Sequence, residues 1–232
     1  MIKNLDAKIF IHIPKSGGMT IRHSPQLKNK IMACTPELHE SPEYTKGLLK
    51  KMKEIQDHHG FQHCPWKHIK PGYRNYYDAF AIIRNPWDRV VSRYFFAKKV
   101  IEVEKKEPVG KHRVDSFEHF LTERDLWYNE PYLHHRAIRG WQPAYEYVTD
   151  NKNAIRCDML RFENYNEDVC EYFNLPKMSR ARNVTALNAG SYKDVYTTKT
   201  IQMVADWYKI DIDTWGYDFD SGPTKNYWNM KK

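Results

Sequence analysis

The chain has 232 residues, long enough to bury a real core and short enough for one α/β domain or at most two small ones. A hydrophobic share of 41% excludes a disordered chain, and no apolar run approaches the ~20 residues that a membrane span needs. The net charge of +8 favours anionic partners, yet the basic residues are dispersed, which argues against a dedicated nucleic-acid tail.

In chain order, Lys8 to Ile13 is apolar, β-rich and bounded by Pro14, the pattern of a buried strand. Pro14 to Gly18 reads as a turn. A short helix follows from about Met19 and stops near Pro25. Lys30 to Cys34 fits a second short strand. Ser41 and Pro42 supply a cap and a first-position proline. Leu48, Leu49, Met52 and Ile55 then recur at helical spacing, so a helix is expected over 42–57. Residues 58–77 are rich in His, Pro, Gly and aromatics and read as an irregular connection. Loops of that length are uncommon unless they do something.

Ala79 to Ile83 is the clearest strand. Asn85 and Pro86 open a helix running to about Val100, with Asp88 expected to complete a capping box. Residues 98–111 read as a charged, exposed loop. Asp115, with Glu118 three residues on, opens a helix carrying Phe117, Phe120 and Leu121. Ala154 to Phe162 fits a strand, Asn166 to Phe173 a short helix, and Thr197 to Lys209 a helix with Ile201, Val204, Ala205 and Tyr208 on one face. The aromatic tail from Trp215 to Phe219 is expected to pack back on the body. Strands alternating with helices imply a mostly parallel sheet with helices on both faces.

Two motifs carry the chemistry. The first is Pro14-Lys-Ser-Gly-Gly-Met-Thr20 between a strand and a helix. Two glycines let backbone N–H groups converge on an anion. Lys15 adds a full charge, and Ser16 and Thr20 add hydroxyls. The plain alternative is an ordinary turn with a chance lysine. The pattern is not a Walker A loop, in which the lysine follows the last glycine. The second motif is Arg84-Asn-Pro-Trp-Asp-Arg-Val-Val-Ser-Arg-Tyr94. An arginine at a strand's carboxyl end can fork onto a phosphate, and ligands of open α/β sheets gather at that edge. The plain alternative is a structural Arg84–Asp88 ion pair with Ser92 on a helix surface.

Together, His12 to Thr20 and Ile83 to Tyr94 resemble the 5′-phosphosulfate loop and the 3′-phosphate motif of PAPS-dependent sulfotransferases (PAPS, 3′-phosphoadenosine 5′-phosphosulfate). The resemblance is especially to the branch of carbohydrate sulfotransferases and their bacterial and viral relatives. Leu160 to Asn164, Asn183 to Thr185 and Tyr192 to Tyr217 continue the resemblance more weakly. It implies one sulfotransferase domain over residues 1–232, with a P-loop-like three-layer α/β fold. It implies that Lys15, Ser16, Gly17, Gly18, Met19 and Thr20 hold the 5′-phosphosulfate. Arg84 and Ser92 then hold the 3′-phosphate, with Arg182, Asn183 and Thr185 contributing from a later loop. The product would be adenosine 3′,5′-bisphosphate (PAP).

An acceptor hydroxyl needs a base near neutral pH, and histidine is the usual choice. The resemblance places one in the irregular connection; His63 is the first candidate and His59 the second. His59, His63, Cys64 and His68 have a spacing that suits zinc, but nothing pairs with them elsewhere, and no metal is expected. The expected acceptor is carbohydrate, with peptide tyrosine or a small alcohol as alternatives. Trp127, Tyr128, Tyr132 and Trp141 are expected to stack on sugars. The sequence opens into a strand with no visible leader, and its four cysteines are widely spaced. Both features suggest a cytoplasmic protein with reduced thiols, and the dispersed basic residues suggest no nucleic-acid partner. The competing readings are a P-loop kinase or NTPase, which would need Mg²⁺, and a non-catalytic polyanion-binding module.

Overall fold

A computed structural model describes residues 6–54, 60–103, 114–122, 124, 141–178 and 191–231. Four strands form one parallel sheet: β1 (Lys8–Ile11), β2 (Ile31–Ala33), β3 (Ala79–Ile83) and β4 (Asp158–Arg161), in the order β2-β1-β3-β4. Ile9 pairs with Ala79, and Phe80 with Asp158, so β1 and β3 are the central strands. The sheet is parallel throughout, as expected.

Both faces are buried, because side chains alternate along each strand. Ile9, Ile11, Ala79, Ala81, Ile83 and Met159 point to one core. That core also takes Val90 and Val91 from α4 (Pro86–Lys98), Val204 from α8 (Thr198–Trp207) and Trp215 from α9 (Lys209–Trp215). Phe10, Phe80, Ile82 and Leu160 point to the other core. There they meet Ile21 of α1 (Gly18–Arg22) and Val169 and Phe173 of α7 (Tyr165–Phe173). This is the three-layer arrangement that the alternating pattern implied.

The remaining helices among the described residues are α2 (Pro42–Glu54), α3 (Pro71–Arg74), α5 (Phe117–Leu121) and α6 (Ala144–Val148). Ser41 caps α2, its hydroxyl accepting from the Tyr44 N–H at 3.2 Å. Leu48 and Met52 are buried while Leu49 is exposed, so the inward stripe of α2 is narrower than expected. The connection after it is less irregular than expected, with 3₁₀ turns at Phe61–His63 and Trp66–His68 before α3. Further boundaries differ from the sequence reading, and the strand expected over Ala154 to Phe162 spans only Asp158–Arg161. Lys99–Val103 continues α4 as a π-helical turn and buries Val100, where a loop was expected. Ser116, not Asp115, caps α5, and Asp115 pairs with His119 instead. A second helix, α9, follows α8.

Asp211 of α9 explains why α9 and α6 stay together. Its carboxylate accepts from the backbone N–H groups of Ala144 (2.7 Å) and Tyr145 (2.9 Å), capping α6 from outside. It also faces the buried Arg89 of α4 at 3.7 Å. Burial raises the Asp211 pKa to about 6, against the opposing pull of Arg89 and the two N–H groups. The folded state therefore holds a proton that the unfolded chain has released between about pH 4 and 6. This group's contribution to stability falls as pH rises across that window. Asp211→Ala would take the facing carboxylate from the buried Arg89 and uncap α6, at a cost of about 3–5 kcal/mol. The expected readout is a melting temperature lowered by roughly 10 °C. A shift under about 2 °C would show that the pair contributes little.

All four cysteines are free, and Cys34, Cys64 and Cys157 are buried. Among the described residues no helix is long and apolar enough to cross a membrane.

Candidate functional site

Two loops leave the carboxyl ends of the adjacent strands β1 and β3, and so emerge side by side. The loop after β1 turns sharply, with Lys15 at φ +67° and Gly17 at φ +77°. For a residue with a Cβ this left-handed backbone costs about 1–2 kcal/mol, so the lysine is held against its own preference. Glycine adopts it without that cost. A Cβ at Gly17 would also stand 2.7 Å from the Tyr165 ring, and one at Gly18 would stand 2.1 Å from the His12 ring. Gly17 is therefore fixed by the turn and by what packs on it, and Gly18 by the ring that packs on it.

α1 has only five residues and a correspondingly weak dipole, so the loop's positive charge rests on Lys15. The Lys15 ammonium lies 4.3 Å from the centroid of the Phe96 ring on α4. Burial, and then the charges of Arg84, Arg93 and Lys99, lower its pKa to about 7. Crowded cations repel one another in the protein alone and suit a ligand with several negative charges. Beside them, the Ser16 hydroxyl and His12 Nδ1 are buried with no hydrogen-bond partner among the described residues. Such an orphan costs about 1–3 kcal/mol, and a bound ligand is one thing that can relieve it.

Arg84 follows β3. Its Nε and Nη2 fork onto the Asp88 carboxylate at 2.7 Å each, and its Nη1 donates to the Lys15 carbonyl at 2.8 Å. Its guanidinium also lies 4.0 Å from the Phe162 ring centroid. The ion pair considered from sequence is thus present, and Arg84 ties the two loops together. Each Nη still carries a second N–H beyond these bonds. Asp88 does not complete the expected capping box, because Arg84 draws it away. Glu163 takes the Asn85 N–H instead, at 2.6 Å, while the Asn85 side chain caps α4 by accepting from Trp87 and Asp88. Asp88, Ser92, Phe96 and Lys99 recur at helical spacing, and Asp88 and Phe96 turn that face of α4 toward the loop. Ser92 lies on it and is buried.

His63 ends the first 3₁₀ turn, with its Nδ1 2.7 Å from the His12 carbonyl oxygen. A carbonyl only accepts, so Nδ1 donates and the ring lone pair sits on Nε2. That is the tautomer a general base needs. The two imidazole centroids are 4.3 Å apart. Burial, then the neighbouring His63, holds the His12 pKa well below the usual range, so His12 stays neutral.

The structure therefore gathers Lys15, Ser16, Gly17, Gly18, Met19, Thr20, Arg84, Ser92 and His63 at one edge of the sheet. His59, Arg182, Asn183 and Thr185 lie outside the described residues, as do Trp127, Tyr128 and Tyr132. Trp141 corrects one expectation. It is 5% exposed and packs against Phe120 and Trp207, so it cannot stack on an acceptor sugar. The sequence reading gave no role to Phe162, Glu163 or Tyr165, which pack on both loops. Their signal was their place, directly after a strand that ends at the same edge.

A family model described as the sulfotransferase family matches residues 5–218. No curated protein matches the chain.

Proposed function

The chain belongs to the sulfotransferase family, and from that premise we propose that it moves a sulfuryl group from PAPS to an acceptor hydroxyl, with carbohydrate as the first candidate, and releases PAP. The observation that carries this reading is the direct link between the two loops, the Arg84 Nη1 to Lys15 carbonyl bond at 2.8 Å. It holds a lysine loop and an arginine against each other, at a strand-end edge of the kind where ligands of open α/β sheets gather. The crowded cations and the orphaned Ser16 hydroxyl suit a 3′,5′-bisphosphate. Residues 1–232 act as one domain in this reading.

The chemistry follows from the residues. PAPS supplies an activated sulfur whose bond to the bridging phosphate oxygen breaks as the acceptor oxygen bonds to it. His63 Nε2 takes the acceptor proton, while Nδ1 stays anchored on the His12 carbonyl. Lys15 and the loop N–H groups stand where negative charge grows on the departing phosphate. Arg84 and Ser92 hold the 3′-phosphate and so fix the nucleotide's direction.

A thermal-shift comparison separates this reading from its competitors. PAP should raise the melting temperature more than ATP does, with or without Mg²⁺. Preference for ATP–Mg²⁺ would favour a kinase, and salt-sensitive polyanion binding without nucleotide stabilisation would favour a binding module. Labelled PAPS with an acceptor library, read by mass spectrometry, identifies the acceptor.

A further inference from the structure

We propose that Tyr165 is a positioning residue for the donor, holding the Lys15–Thr20 loop in its binding form. The inference rests on the sulfotransferase reading above. Tyr165 opens α7 directly after β4, on the side of the loop away from α4. Its hydroxyl donates to the Gly17 carbonyl at 3.1 Å. Its ring presses on Gly17 so closely that a Cβ there would meet it at 2.7 Å. The phenol oxygen also accepts from the Thr20 side chain and the Ile21 N–H.

A phenol has one proton. Having given it to Gly17, Tyr165 can only accept from Thr20, so the bonds run one way: Thr20 to Tyr165 to Gly17. Gly17 is the second left-handed residue of the loop and Thr20 lies in the first turn of α1, and one hydroxyl group ties both. When the donor claims the Thr20 proton, the bond to Gly17 remains and the turn keeps its shape. Burial pushes the Tyr165 pKa up, so the phenol stays a donor at any working pH. Phe162 and Glu163, just before it, hold Arg84 and Asn85. One short segment therefore sets the geometry of both donor loops.

Tyr165→Phe tests this, because it keeps the buried ring and removes only the hydroxyl. The expected result is a KM for PAPS and a Kd for PAP each raised about tenfold, with kcat within about twofold. The unliganded melting temperature should fall by no more than about 3 °C. In a Thr20→Val background the loss in PAP affinity should shrink, since part of the network is already gone. Should wild type bind PAP and Tyr165→Phe bind it equally well, Tyr165 is core filling and the sulfotransferase reading stands. Should wild type not bind PAP at all, the donor reading fails and this inference fails with it.

Discussion

Lys15→Ala lowers turnover about 10³-fold, and does so through the chemical step as well as through binding. The lysine is the loop's own full charge, and α1 is too short to replace it. The same substitution removes a pH dependence. With a pKa of about 7 in the free protein, Lys15 is half-neutral at physiological pH. A bisphosphate beside it favours the ammonium, so its pKa in the complex is higher. Binding then takes up a proton between the two values, and PAP affinity falls as pH rises above 7, by up to about tenfold per unit. Titrations from pH 7 to 9 in wild type and Lys15→Ala check the sign. Parallel slopes in the two proteins would mean that Lys15 does not bind the anion.

His63→Ala gives the opposite split. PAP affinity should stay within about twofold, because His63 meets the strand end ahead of the loop through His12. Turnover should fall about 10²- to 10⁴-fold, the usual worth of a positioned base. Full transfer activity in this variant would remove His63 from the mechanism and turn attention to His59. A large loss of PAP affinity would instead recast His63 as a support for the His12 strand end.

The parts of the fold fixed by local chemistry were legible in the sequence. Ala79–Ile83 was read at its true bounds, because an apolar run sits between a polar residue and a cap. The Asn85–Pro86 start of α4 and the turn at Gly17 were read for the same reason. The misreadings turn on competition between side-chain partners, some one helical turn away and some far along the chain. Asp88 looked like a capping residue, but Arg84 and Glu163 decided otherwise. Asp115 and Ser116 compete for one cap, and a contact with His119 settles it. Trp141 looked like a sugar platform only because its burial against Trp207 spans a separation that no local pattern encodes. Of the site, the two loops were visible as motifs. The clasp at Phe162, Glu163 and Tyr165 was not, since each acts on a residue about 80 to 150 positions away.

The left-handed backbone at Lys15 has a consequence for anyone engineering this protein. Glycine would fit that conformation without penalty and would discard an ammonium that burial disfavours. A Lys15→Gly chain is therefore set to outlast its parent in a heat challenge while turning over about 10³-fold more slowly. Selection for thermal robustness alone would drift toward a far slower protein, and only a screen that also demands turnover keeps the lysine in place.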